Sequence, residues 1–159
     1  MPVINVDRDD LKIYLTAKGR TNNALDKEYW PDTKNSSIKA KLNDFYFRSV
    51  NGWMVDNEGV EYLKVSQGAT VELDSYSPFA INPQTNGLTI ELDFMIDGIL
   101  DYEANLMECL SRTSTGIWTG FAVKGDTFKY YVNEKELVSL NLVEGKRIKL
   151  SFVIEASSS

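Results

Sequence analysis

Leu88-Thr89-Ile90-Glu91-Leu92-Asp93-Phe94-Met95-Ile96 decides how the rest of the chain is read. Apolar and polar residues alternate along it, and a period of two belongs to a β-strand, whose successive side chains leave on opposite faces. Leu88, Ile90, Leu92 and Phe94 share a dry face, while Thr89, Glu91, Asp93 and Met95 share a wet one. One buried and one solvated face is the habit of antiparallel sheets.

Outward from this stretch the same pattern recurs. Strands are predicted at Leu106 to Ser111, Trp118 to Lys124, Phe128 to Val132, Leu137 to Leu142 and Arg147 to Glu155, punctuated by Gly125-Asp126, Asn133 and Glu144-Gly145. Leu100, Ala104 and Met107 are also spaced for a short helix, but the strand reading is preferred. Toward the N-terminus, Leu11, Ile13 and Leu15 alternate with Lys12, Tyr14 and Thr16. Phe45 and Phe47 lead to Asn51-Gly52, a strong hairpin dipeptide because both residues tolerate positive φ. Asp56-Asn57-Glu58-Gly59 and Gln67-Gly68 read as the next two turns. Residues 1–10 read as an arm, and residues 19–43, mostly polar, as a long loop.

About ten or eleven short strands with regular turn signals describe an all-β sandwich or jelly roll. At 159 residues and 18.0 kDa, the expectation is one domain over residues 11–159. The abrupt Ser157-Ser158-Ser159 after an apolar strand reads as a cut in a longer polypeptide. A net charge of -6 repels phosphate backbones and anionic membranes, so neither is an expected partner. No apolar run opens the chain, so no export signal is expected. No stretch reaches the roughly 20 apolar residues of a membrane span. Histidine is absent, which removes the commonest general base and metal ligand. Cys109 stands alone within an apolar run and reads as inert packing.

Leu15-Thr16-Ala17-Lys18-Gly19-Arg20-Thr21-Asn22, Trp30, Phe45-Tyr46-Phe47, Asn51-Gly52-Trp53 and Pro78-Phe79-Ala80 follow one another in a characteristic order. Gly87 to Phe94, Gly116-Ile117 with Gly120-Phe121, and Arg147 to Glu155 continue it. This ordered set resembles the laminin-G-like, concanavalin A-like module of tail and baseplate proteins from phages and prophages of Gram-positive bacteria. The resemblance implies a jelly roll of two antiparallel sheets whose concave sheet holds a glycan. It also implies a place in the virion, assembled in the host cytoplasm beside other tail or baseplate subunits, as a homo-oligomer.

Glu91 and Asp93 are the sharpest catalytic candidates, because i and i+2 on a strand lie ~7 Å apart on one face. Retaining glycosidases of this fold class resemble Glu-x-Asp-x-Glu, and here Met95 takes the third position. Loss of the acid/base removes a contribution of ~10²- to 10⁴-fold. The pair therefore reads as a solvated face with Glu91 able to accept hydrogen bonds from a sugar; a cleaving enzyme would need Glu108 or Glu61 as acid/base. Asp93, Asp97 and Asp101 offer oxygens for Ca²⁺, but not at an EF-hand spacing, so no cofactor is expected. Trp53, Trp118 and Tyr131 are the aromatic candidates for stacking on sugar rings, with Trp30, Tyr76 and Tyr102 behind them. The expected function is non-catalytic carbohydrate binding to host wall or surface polysaccharide, with a ligand-free structural spacer as the alternative.

Overall fold

The computed structural model describes residues 13–73, 88–98, 100–110, 118–132 and 135–154. The arm 1–10, Tyr76, Gly116 and the closing serines lie outside the described residues, as do the side chains of Tyr102, Glu108, Cys109 and Trp118. Internal contacts gather the chain into two compact units, Met1–Pro78 and Phe79–Ser159. Among the described residues there are eleven strands and no helix, and every ladder is antiparallel.

The first unit holds β1 (Tyr29–Pro31), β2 (Lys39–Asn43), β3 (Gly52–Val55), β4 (Glu61–Lys64) and β5 (Thr70–Leu73). They form a β1-β2-β5 sheet and a β3-β4 hairpin. Two strands thus lie inside the stretch read as a long loop. Their period of two is present in Ala40 and Leu42, which are 0% and 4% exposed, but flanking lysines mask it. Between Ala17 and Tyr29 the backbone runs through successive four-residue turns, with Arg20 N donating to Ala17 O, Ala24 N to Thr21 O, Lys27 N to Ala24 O and Tyr29 N to Asp26 O. The Arg20 guanidinium fastens this path through Asp26 and the carbonyls of Asp26 and Tyr29.

The strand expected from Leu11 to Leu15 is not formed over residues 13–17. Its backbone is claimed by other partners: Tyr14 N donates to the Asp32 carboxylate, Thr33 N to Tyr14 O, and the Trp30 indole to Thr16 O. Asn51-Gly52 does not form the hairpin turn either. The turn falls at Ser49 and Val50, closed by the Arg48–Asn51 bridge, and Gly52 opens β3 at φ 131°. A Cβ on Gly52 would lie 2.6 Å from Asn22 Oδ1 and 2.8 Å from the Phe47 Cα, so close approach is what requires glycine there. The turn at Asp56–Gly59 stands where expected, closed by Gly59 N to Asp56 O. The core of this unit is Ala17, Leu42 and Trp53, with Trp30, Phe45, Phe47 and Leu63 packed on it.

The second unit holds β6 (Leu88–Phe94), β7 (Leu100–Leu110), β8 (Trp118–Gly125), β9 (Thr127–Val132), β10 (Lys135–Asn141) and β11 (Ile148–Ile154). Their order is β10-β9-β8-β7 in one sheet and β11-β6 in a two-stranded ribbon. Register shifts between Leu100 and Glu103 and between Asn105 and Met107 mark bulges in β7, where extra residues bend a strand without ending it. The sheet sends Phe121, Val123, Phe128 and Tyr130 into a core that the ribbon meets with Ile90, Leu92, Phe94, Ile148, Leu150 and Phe152. Phe128 stacks on Phe94, Phe121 and Phe152, centroids 5.7, 5.7 and 5.6 Å apart. The dry face read for β6 is therefore the core face.

Candidate functional site

The candidate residues do not converge. Glu91 and Asp93 alternate with Ile90, Leu92 and Phe94, so they leave the ribbon on the side away from the core. Tyr131 alternates with buried Tyr130, so it leaves the four-stranded sheet away from that same core. The two sets therefore face opposite outer surfaces of the second unit. Trp118 pairs with Leu110 at the end of β8.

Trp53 is a correction. It lies in the first unit, 4% exposed, edge-on to Trp30 with centroids 5.4 Å apart. Its indole donates to Lys27 O at 2.9 Å, and the Arg20 guanidinium carbon lies 5.3 Å from its ring centroid. A ring so enclosed is core and offers no face to a sugar.

On the ribbon, the ladder sets Asp93 opposite Lys149 and Glu91 opposite Ser151. Arg147 grips Asp93 bidentately, Nε to Oδ1 at 2.6 Å and Nη2 to Oδ2 at 2.8 Å, with Lys149 Nζ 3.5 Å away. These hydrogen bonds from Arg147 hold the Asp93 carboxyl below the usual carboxylate range. Such an anion is no proton donor near neutrality, and the two cations compete with any metal drawn to it. Among the described residues no three carboxylates or thiols are grouped to hold a metal. The ladder also puts Thr89 opposite Val153 on this outer face, so its described part carries no aromatic platform.

The sheet's outer face differs. Tyr131 is partly exposed, its hydroxyl donates to Glu103 Oε2 at 3.3 Å, and Lys129 Nζ lies 6.0 Å from the ring centroid. Lys129 also pairs with Glu136 at 3.2 Å. That hydrogen bond, and a second with Tyr131, raise the lysine's pKa and keep it charged. The register partner of Tyr131 on β8 is Gly120, which brings no side chain beside the ring. An aromatic flanked by a carboxylate, an ammonium and a glycine can stack on the C–H face of a sugar while its neighbours hydrogen-bond hydroxyls.

Sequence reasoning missed Glu103 and Lys129. Lys129 shares the face of Tyr131 by the period of two, a usable signal. Glu103 lies opposite Lys124 in the register and meets the Tyr131 hydroxyl diagonally across β8, which no local pattern encodes. Glu61, the other alternative acid/base, accepts a hydrogen bond from Gly19 N at 3.0 Å and so ties a turn of the first unit to β4.

Comparison of the chain with protein-family models, with curated proteins and with solved structures finds no match.

Proposed function

We propose that the chain is a non-catalytic carbohydrate-binding module of concanavalin A-like jelly-roll character, set in a phage tail or baseplate protein and directed at host wall or surface polysaccharide. The observation that carries the binding reading is the partly exposed Tyr131 ring on the outer face of β9, flanked by Glu103, Lys129 and Gly120. The engagement of both Asp93 oxygens by Arg147 supports binding over hydrolysis. The tail setting rests on the sequence resemblance alone.

Calorimetric titration of the 159-residue chain with solubilised wall polysaccharide from Gram-positive bacteria tests this reading. Weak binding is expected, weakened most on Tyr131→Ala and less on Glu103→Gln, with Glu91→Gln unchanged. Stacking contributes on the order of 1 kcal/mol, so the alanine variant should bind roughly fivefold less tightly or worse. Absence of heat with every wall fraction rejects the reading in favour of a structural spacer. That alternative is supported by Trp53 and Trp30, aromatic candidates that serve packing instead.

A further inference from the structure

All seven residues of β10 are exposed, which holds for no other strand whose burial is fully described. Leu137, Val138 and Leu140 are 50%, 36% and 39% exposed, although the strand ends its sheet. Val138 and Leu140 pair with Tyr130 and Phe128, whose rings are 6% and 0% exposed. Cross-strand partners share a face, so the apolar row of the core runs outward to the edge and stops there uncovered.

Edge strands are ordinarily guarded by proline, charge or a bulge. Here Lys135, Glu136 and the register shift between Glu136 and Val138 guard one end only. From Val138 to Asn141 the strand is regular and carries neither charge nor proline.

We propose that β10 is the docking edge for β10 of a second copy of this chain. Antiparallel pairing about a two-fold axis at Ser139 sets Val138 of each copy opposite Leu140 of the other, and Leu137 opposite Asn141. The apolar row then continues across the joint. Within the strand, an axis at Val138 would set Leu140 opposite the Glu136 carboxylate, and an axis at Leu140 would pair only Ser139 to Asn141. Charge and overlap together select Ser139, and a second copy brings this same unguarded edge. Stable interfaces bury about 1,600 Å² and weak encounters less than about 1,200 Å². A five-residue edge belongs to the weak class. The net charge of -6 on each copy opposes approach while the joint itself is uncharged, so salt should strengthen the association.

Sedimentation equilibrium of the whole chain from about 10 µM to about 1 mM spans the range of a weak dimer. The mass average should rise above 18.0 kDa with concentration, and further with added salt. Leu140→Lys should weaken association at least tenfold; circular dichroism checks that its fold is kept. In a Cys109→Ser background, Ser139→Cys should oxidise to a disulfide-linked dimer, since opposed Cα atoms about 4.5–5.5 Å apart suit that bond. Asn141→Cys should not. A mass of 18.0 kDa at every concentration and salt would overturn the proposal, even if the variants misfold. So would a folded Leu140→Lys chain that associates undiminished, or cross-linking at Asn141 as efficient as at Ser139.

Discussion

Substituting Asn51 by alanine should cost about 3 kcal/mol, a large effect for a residue in a surface turn. The Asn51 side chain is 0% exposed. Its Oδ1 accepts Tyr46 N at 2.7 Å, and its Nδ2 donates to Ser66 Oγ at 2.7 Å and to Asp44 O at 3.3 Å. Asp44 and Phe47, within this loop, hold positive φ of 60° and 54°, conformations that persist only when their surroundings enforce them. Each lost bond is worth about 1 kcal/mol net. With a urea m-value of about 2 kcal/mol/M, the midpoint should fall by roughly 1.5 M, followed by tryptophan fluorescence, since Trp53 lies two residues on. Asn51→Asp is the control: it retains the acceptor toward Tyr46 N but loses the donor toward Asp44 O. A protonated carboxyl recovers that donor, so its deficit should shrink as pH falls. A midpoint shift below about 0.5 M for the alanine variant, on the same m-value scale, would refute the hub.

Three further outcomes follow from the packing. Asp93→Asn should cost about 0.5–1 kcal/mol because the pair is surface-exposed, and less in high salt. Since Arg147 lowers the folded pKa of Asp93, its contribution is complete above the unfolded value of about 3.9 and is lost as pH falls through the lower folded value. Parallel urea titrations of parent and variant should thus differ by a constant above about pH 5 and converge in acid. Phe128→Ala, which empties the centre of the aromatic core, should cost about 3–5 kcal/mol in thermal or urea unfolding, and Phe128→Leu clearly less. Gly52→Ala should cost on the order of 2–3 kcal/mol and red-shift Trp53 emission, because the added methyl displaces Asn22, which accepts from Trp53 N at 2.8 Å.

The sequence carries the second unit better than the first, for a physical reason. Strands β6, β8, β9, β10 and β11 each have a one-sided apolar period, and their predicted bounds agree with the structure within a few residues. In the first unit the strands are only 3 to 5 residues long, too short for a period to stand out. Its order comes instead from side chains bonded to backbone: Asp32 accepting from Tyr14, Lys34 and Asn35, Arg20 gripping two carbonyls, and Asn22 pinning both edges of Trp53. Such bonds join residues up to 42 positions apart, as from Gly19 N to Glu61, and single positions do not announce them. Alternation likewise misjudged residues 13–17, where the Tyr14 amide and the Tyr14 and Thr16 carbonyls serve such clamps rather than a ladder.

The same limit shaped the candidate site. A period of two states which residues of one strand share a face; it placed Glu91 beside Asp93, and the same period, not applied to β9, sets Lys129 on the face of Tyr131. Which strand lies alongside is set by register, and there the two faces part. On the ribbon the register brings Arg147 and Lys149 to Asp93, so that face is committed to fixing the β6–β11 alignment. On the four-stranded sheet it sets Gly120 beside the ring, and Glu103 meets the Tyr131 hydroxyl diagonally across β8. A face whose charges neutralise one another across a joint gains little from a ligand. A partly exposed ring with polar groups at its margin and glycine as its β8 partner has a surface to offer a ligand. The search for a ligand therefore belongs on β9 and its neighbours, and Glu91→Gln is the internal control that keeps the two faces distinct.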